Sequence, residues 1–186
     1  MSGPATRIAV TVTFLRQEAR PNRAASPLPP ETRLVRLPHP TVAFYRYLYD
    51  TVGARYVWWL RRTLPDSQLA ELLAAPGVSL YVLYRQEEPA GFFELDARTG
   101  STVNIAYFGL LPHVIGQGLG RKLLDAAIAV CWAKAPLGVT VNTCTADHPA
   151  ALPTYLRAGF HAVRTVREVW DVPNRLGLTI PSHLRL

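Results

Sequence analysis

Residues 104–121 read Asn-Ile-Ala-Tyr-Phe-Gly-Leu-Leu-Pro-His-Val-Ile-Gly-Gln-Gly-Leu-Gly-Arg, and this stretch decides how the fold is read. A strand pattern runs to Pro112. Glycines follow at alternate positions, Gly116, Gly118 and Gly120, and an amphipathic helix begins at about Leu119. Glycine removes the Cβ where backbone N–H groups must crowd around something. Such a loop at a helix N-terminus offers unpaired donors and a positive dipole end, which suits a phosphate or pyrophosphate. Taken alone, the glycines fit a flexible strand-to-helix turn equally well. The dinucleotide fingerprint needs Gly-x-Gly-x-x-Gly and a later acidic residue, and a nucleotide-triphosphate loop needs a closing Gly-Lys-Ser/Thr; neither spacing is present.

Downstream, Leu119, Leu123, Ala127, Val130 and Cys131 form one helical stripe, and Val139 to Thr143 reads as a strand. A helical crossover of this length permits parallel strands on either side of it. A short helix at 149–158 carries Tyr155 and closes on Gly159-Phe160, and Val163 to Asp171 is a last strand. Upstream, Val78–Tyr84, Ala90–Asp96 and Thr102–Leu110 alternate as strands with short turns between them, an antiparallel meander. Three helices are expected before it: Thr41–Thr51, about Arg55–Thr63, and Ser67–Ala75 with Asp66 as its cap. Two strands come first, Ile8–Leu15 and Arg33–Leu37, separated by residues 20–30, whose four prolines forbid regular structure. Whether the first strand joins the main sheet or pairs with another protomer is left open. The expected fold class is α/β (α+β), a mixed, mostly antiparallel sheet flanked by helices on both faces. The expected division is 1–31 as N-terminal strand and connector, 32–172 as the main domain, and 173–186 as a tail.

The order strand, glycine loop, helix, strand, then a short helix bearing Tyr-x-x-x-Gly-Phe resembles the GNAT superfamily of acyl-CoA-dependent N-acyltransferases, over roughly residues 32–170. The resemblance implies acetyl-CoA as acyl donor, with the amides of Gly116, Gln117, Gly118, Leu119, Gly120 and Arg121 facing its pyrophosphate. It implies that the backbone around Leu110 and Leu111 pairs with the pantetheine arm, and that Asp147 stands beside it where many relatives have Asn. Asp147 is equally suited to cap the following helix. Arg121 is read either as a phosphate ligand or as a solvated side chain. Tyr155 occupies the position of the family's general acid to the departing thiolate. Ile115 departs from the usual Arg or Gln ahead of the first glycine.

The base is the weak point of this reading. Relatives often carry Glu at or near Asn104, and an amide cannot take a proton from an ammonium. The substitutes are Glu94, on the neighbouring strand beside Phe92 and Asp96 and acting through water, or His113 in the loop before the glycines, although His113 reads more readily as surface and His148 as structural. An amine arriving neutral needs no base.

The bulk composition bounds the partners. A chain of 186 residues, 49% apolar, fits one domain with a substantial core and contains no apolar run long enough to span a membrane. The N-terminal residues lack a signal-peptide pattern, and Cys131 and Cys144 sit in apolar contexts, so a cytoplasmic protein with reduced thiols is expected. The net charge of +7 is spread along the chain, which suits phosphate-bearing ligands better than nucleic acid. The five histidines and two cysteines show no metal-ligand spacing. The aromatics of the 44–59 segment either cover the sheet or wall an acceptor pocket. The function expected is acetyl transfer from acetyl-CoA to a primary amine in a ternary complex, with a homodimer possible. The alternative is a non-catalytic acyl-CoA-binding or regulatory module.

Overall fold

The computed structural model describes residues 3–186. Seven strands build one sheet: β1 Ala5–Gln17, β2 Thr32–Leu37, β3 Val78–Arg85, β4 Glu88–Asp96, β5 Val103–Leu110, β6 Val139–Cys144 and β7 His161–Pro173. Their order across the sheet is β2-β3-β4-β5-β6-β1-β7, and only β5 and β6 are parallel. The helices are α1 Val42–Gly53, α2 Asp66–Ala74, α3 Leu119–Trp132 and α4 Ala151–Arg157. The mixed, mostly antiparallel α/β architecture read from the sequence is the one observed.

Alternation along each strand sorts side chains to the two faces. Leu83, Phe93, Leu95 and Ile105 face α3, which buries Leu123, Leu124, Ala127 and Ile128 against them. Leu80, Val82 and Phe92 point the other way, under α1 and α2, against Tyr45, Leu48, Tyr49, Leu69 and Leu73. Thr41 caps α1 by accepting the Phe44 N–H at 3.2 Å. The stripe of α1 centres on Tyr45 and Tyr49 rather than on Phe44, which is only partly buried.

The first strand joins the main sheet. β1 lies between β6 and β7, antiparallel to both, with Val12 opposite Cys144 on one side and Val166 on the other. Ile8, Val10 and Val12 pack with Val57, Val172, Ile180 and Leu184, so the C-terminal segment folds back on this end of the sheet.

Two expectations are corrected. Asp66 is the first residue of α2 rather than its cap; the cap position is Pro65, and the Asp66 carboxylate takes Arg46 at 2.6 Å instead. Residues 55–63 are not a helix. The chain turns at Val57 with φ of 55° and forms only a short 3-10 turn at Arg61–Thr63. The helical periodicity there was a by-product of aromatic residues that serve a loop.

Candidate active site

The parallel pairing of β5 and β6 lasts three residue pairs, from Val103/Val139 to Ile105/Val141. Beyond it the strands part, because β5 carries a bulge. Glu94 pairs with Tyr107 and Leu95 with Ile105, which leaves Ala106 as an extra residue. A bulge bends its strand and interrupts the ladder. A cleft of about 640 Å³ opens in the gap, walled by β5 from Ile105 to Leu110 and by Asn142 and Cys144 of β6.

At one end lies the glycine loop. Gly116 and Gly118 have φ of 84° and 75°, values that favour glycine, and Gly118 caps α3 with no side-chain bond. The first amides of α3 therefore have no partner within the helix. Gly120 is different. It sits in the helix, and a Cβ there would meet only Leu110 Cδ1, at an ordinary 3.6 Å. Alanine is favoured over glycine in a helix by about 1 kcal/mol. Neither conformation nor internal packing asks for glycine at 120, yet the residue lines the cleft. Its missing side chain keeps the cradle open to an incoming group, and the loop fits a pyrophosphate on that ground.

Of the residues expected at the donor site, Leu110, Gly116, Gly118, Gly120, Arg121 and Asp147 line the cleft. Leu111 does not: it is 1% exposed and its N–H already donates to the Ala90 carbonyl at 2.9 Å. The Leu119 side chain is in the core and that of Gln117 is bonded to Arg85 and to the His113 carbonyl, so only their amides bear on the expected cradle, and the Gln117 N–H already donates to the Val114 carbonyl at 3.4 Å. Arg121 reaches back to Asp125 at 3.5 Å while remaining 40% exposed.

Tyr155 projects from α4 into the cleft, with its ring edge-on to Phe108 and Phe160. Among the described residues its hydroxyl has no hydrogen-bond partner. Burial, and secondarily the Asp147 charge, push the phenol well above its usual range, so it is held protonated. Asp147 caps nothing. Its Oδ2 accepts from Thr143 Oγ1 at 2.8 Å and from the Cys144 N–H at 2.9 Å, and its Oδ1 accepts from Trp58 Nε1 at 3.2 Å. α4 has Ala150 at its cap position with no side-chain bond.

Glu94 stands apart. It is fully buried, is not among the residues that line the cleft, and has both oxygens engaged, Oε2 accepting from the Tyr45 hydroxyl at 2.5 Å and Oε1 from Arg61 at 2.7 Å. The expected face was right; what covers that face is α1, not an opening. Asn104 accepts from Thr140 Oγ1 at 3.0 Å in the paired part of the sheet, short of the gap. His148 lines the cleft, but its Nδ1 accepts the Ala150 N–H at 3.1 Å, which leaves Nε2 to carry the proton of the neutral ring. His113 sits in an exposed 3-10 turn.

The far end of the cleft is aromatic. The turn at Val57 presents Tyr56, Trp58 and Trp59 to it, and β1 and β7 supply Val12, Phe14, Glu168 and Trp170 as its floor. Trp58 packs on Tyr49 and Tyr107 at centroid distances of 5.3 and 5.1 Å, and Trp59 faces Trp170 at 6.4 Å. A β-branched residue at positive φ is strained, and Val57 is held there by burial among Ile8, Val10 and Val12. Glu168 and Trp170 escaped the sequence reading. The only signal was an acid and an aromatic at i and i+2 on one face of a strand whose place in the sheet was unknown.

Among the described residues no cluster of three or more His, Cys, Asp or Glu is placed to hold a metal ion, and no helix is long and apolar enough to cross a membrane.

A sequence model described as the Acetyltransferase (GNAT) family matches residues 42–160. Among solved structures, the chain is similar to a GCN5-related N-acetyltransferase from Sphaerobacter thermophilus, with a TM-score of 0.63 and 16% identity, over 91% of this chain and 54% of that one. It is similar to a GCN5-related N-acetyltransferase from Kribbella flavida, with a TM-score of 0.59 and 15% identity, over 89% of this chain and 60% of that one. A third is an aminoglycoside acetyltransferase from an uncultured soil metagenomic sample, with a TM-score of 0.55 and 20% identity, over 68% of this chain and 86% of that one. The chain thus spans little more than half the length of the first two.

Proposed function

Since the chain belongs to the GNAT acetyltransferase family, we propose that it transfers an acetyl group from acetyl-CoA to a primary amine by direct attack in a ternary complex. The observation that carries this reading is Gly120, a helical glycine that neither backbone conformation nor internal packing requires and that lines the cleft. In it, the amides of Gly116, Gly118, Leu119, Gly120 and Arg121 hold the pyrophosphate, and Arg121 adds charge at the same end. The acyl donor supplies the activated carbonyl. The gap between β5 and β6 takes the pantetheine arm, with Leu110 and Asp147 beside it. Ala106, left out of the ladder by the bulge, lines the same gap.

Tyr155 is the proposed general acid. A phenol kept neutral by burial has a proton to give at any physiological pH, and a leaving thiolate enclosed by the same apolar walls is a stronger base than in water. Of the cleft's candidate bases among the described residues, Asp147 has both oxygens engaged, the His148 Nδ1 accepts the Ala150 N–H, and Glu168 lies on β7, two strands from β6, so the amine enters neutral. Glu94 serves as a positioning residue: it fixes Arg61, which lies over the Tyr107 ring at 5.1 Å. The reading includes a cytoplasmic setting, with acetyl-CoA and an amine as partners and neither nucleic acid nor membrane.

Calorimetric titration with acetyl-CoA, with ATP and NAD as controls, tests the donor site. Thiol release from acetyl-CoA over a broad amine panel tests the reaction. Tyr155→Phe is expected to retain acetyl-CoA binding and lose at least ~10²-fold in kcat, the usual contribution of a general acid. Turnover left intact by that change would sink the mechanism. A second reading, a non-catalytic acyl-CoA-binding module, is favoured by one observation, the full engagement of Glu94. It predicts acetyl-CoA binding with no thiol release for any acceptor.

A further inference from the structure

The charge on the cleft walls is divided by position. Arg121, at the glycine end, is the single Lys or Arg lining the cleft among the described residues; toward the other end the charged side chains are Asp147 and Glu168. The chain as a whole carries 20 Lys and Arg against 13 Asp and Glu, so an acidic compartment runs against its composition. Both oxygens of Asp147 are taken, by Thr143, the Cys144 N–H and Trp58. Glu168 is taken at one only, where Oε2 accepts from Trp170 Nε1 at 2.8 Å. Its Oε1 has no partner among the described residues. Glu168 lines the cleft together with Trp170 and Phe14 and with Trp58, Trp59 and Tyr56 of the loop after α1. On the same face of β7, Arg164 lies four residues away and stacks on Phe14 at 4.6 Å. A carboxylate with one free oxygen among aromatic faces is the chemistry that holds an organic cation.

The cation held there is not the amine that attacks. A carboxylate beside an ammonium favours the charged form and so suppresses the nucleophile. Position agrees. β7 is separated from β6 by β1, two strand spacings or about 10 Å from the edge of the gap that the thioester would occupy. We propose that Glu168 anchors a second positive charge of the acceptor. The substrate class is then an amine with an apolar or aromatic body and a further cationic group at its far end. This rests on the N-acetyltransferase reading for the attacked end, while the anchoring of the cation does not need turnover.

The probe pair is 1,4-bis(aminomethyl)benzene and 4-methylbenzylamine, alike in the reacting end and body and different in the second ammonium. Thiol release should favour the dication by about tenfold or more in kcat/KM, a ratio worth about 1.4 kcal/mol. Glu168→Gln should bring the ratio to near one, with the change in KM rather than kcat, and Glu168→Asp should restore part of it. Binding of both amines is followed in parallel by tryptophan fluorescence, since Trp58, Trp59 and Trp170 line the compartment. A fluorescence preference for the dication that is lost in Glu168→Gln, in the absence of any thiol release, supports the anchor and defeats the acetyltransferase reading. Equal binding of the two amines by the unaltered protein, or a preference that survives Glu168→Gln, overturns the anchor whatever the turnover shows.

Discussion

Trp58 and Asp147 join the two sides of the cleft: the indole Nε1 of the loop after α1 donates at 3.2 Å to a carboxylate in the turn just beyond β6. The same carboxylate gathers Thr143 and the Cys144 amide, so one side chain fixes a strand end, a loop and an aromatic wall. Asp147→Ala removes the acceptor for three donors at once. With hydrogen bonds to charged groups worth roughly 1.5–3 kcal/mol each and exposure relieving part of the loss, a net cost of about 3 kcal/mol is expected. Trp58→Phe keeps most of the ring packing and loses one bond, at about 1 kcal/mol. Urea unfolding with an unchanged m-value reads both, and equal losses for the two variants would contradict the arrangement.

Gly120 and Gly109 give opposite outcomes for the same substitution. A Cβ at Gly109 would stand 2.3 Å from Val52 Cγ1, forcing α1 off β5, and overpacking of this kind costs about 1–3 kcal/mol. A Cβ at Gly120 meets an ordinary contact, and the helix gains up to about 1 kcal/mol. Gly109→Ala should therefore lower the melting temperature. Gly120→Ala should hold or raise it while weakening acetyl-CoA binding in calorimetry. A Gly120→Ala protein that binds acetyl-CoA as tightly as the parent would remove the main support for the donor site.

The sheet, its meander and the helix after the glycine loop were legible because each rests on local periodicity of one clear type. That the loop glycines, Asp147 and Tyr155 line one cleft was legible because they follow β5 and β6, whose parallel pairing puts both strand ends at one edge of the sheet. The loop at 54–60 was misread because Trp58, Trp59 and their neighbours follow a helical period, while the Val57 backbone is set by burial against β1 and β7. Strand order is a long-range property. Nothing in Ile8–Leu15 says that it lies between β6 and β7, and without that placement Glu168 is only one more acid on an edge strand. The burial of Glu94 escaped the sequence for a related reason: alternation gave its face, but the partners on that face, Tyr45 and Arg61, come from residues 49 and 33 positions away.

The Arg61–Glu94 pair is expected to act on stability more than on chemistry. Glu94 is fully buried and the Arg61 side chain is 17% exposed, so neutralising the carboxylate leaves a guanidinium largely out of water. Glu94→Gln should cost about 3–5 kcal/mol, and Arg61→Leu with Glu94→Leu should cost less than the single change because no charge is stranded. Turnover per folded molecule should fall far less than the ~10²-fold or more that losing a general base brings. A loss of that size in a protein shown to be fully folded would return Glu94 to a catalytic role.

Asp125 makes a pH-dependent tie between α3 and the proline-rich connector. Arg23 donates to both its oxygens, at 3.0 and 2.6 Å, and the Ser26 N–H adds a third bond at 3.1 Å. Burial alone would raise this carboxyl; the bonds from Arg23 and Ser26 outweigh it and hold the group at about 2. The folded value is thus depressed below the unfolded one near ~3.9, so the tie is at full strength above about pH 4 and is lost as pH falls toward 2. Arg23→Met removes the largest stabilising partner, raises the folded value and shrinks that window. The variant should lose stability at pH 7, and its difference from the parent should narrow steadily between about pH 4 and pH 2. Urea titrations at several pH values read this directly. A difference that stays constant down to pH 2 would mean that Arg23 acts by packing on α3 and not through the Asp125 charge.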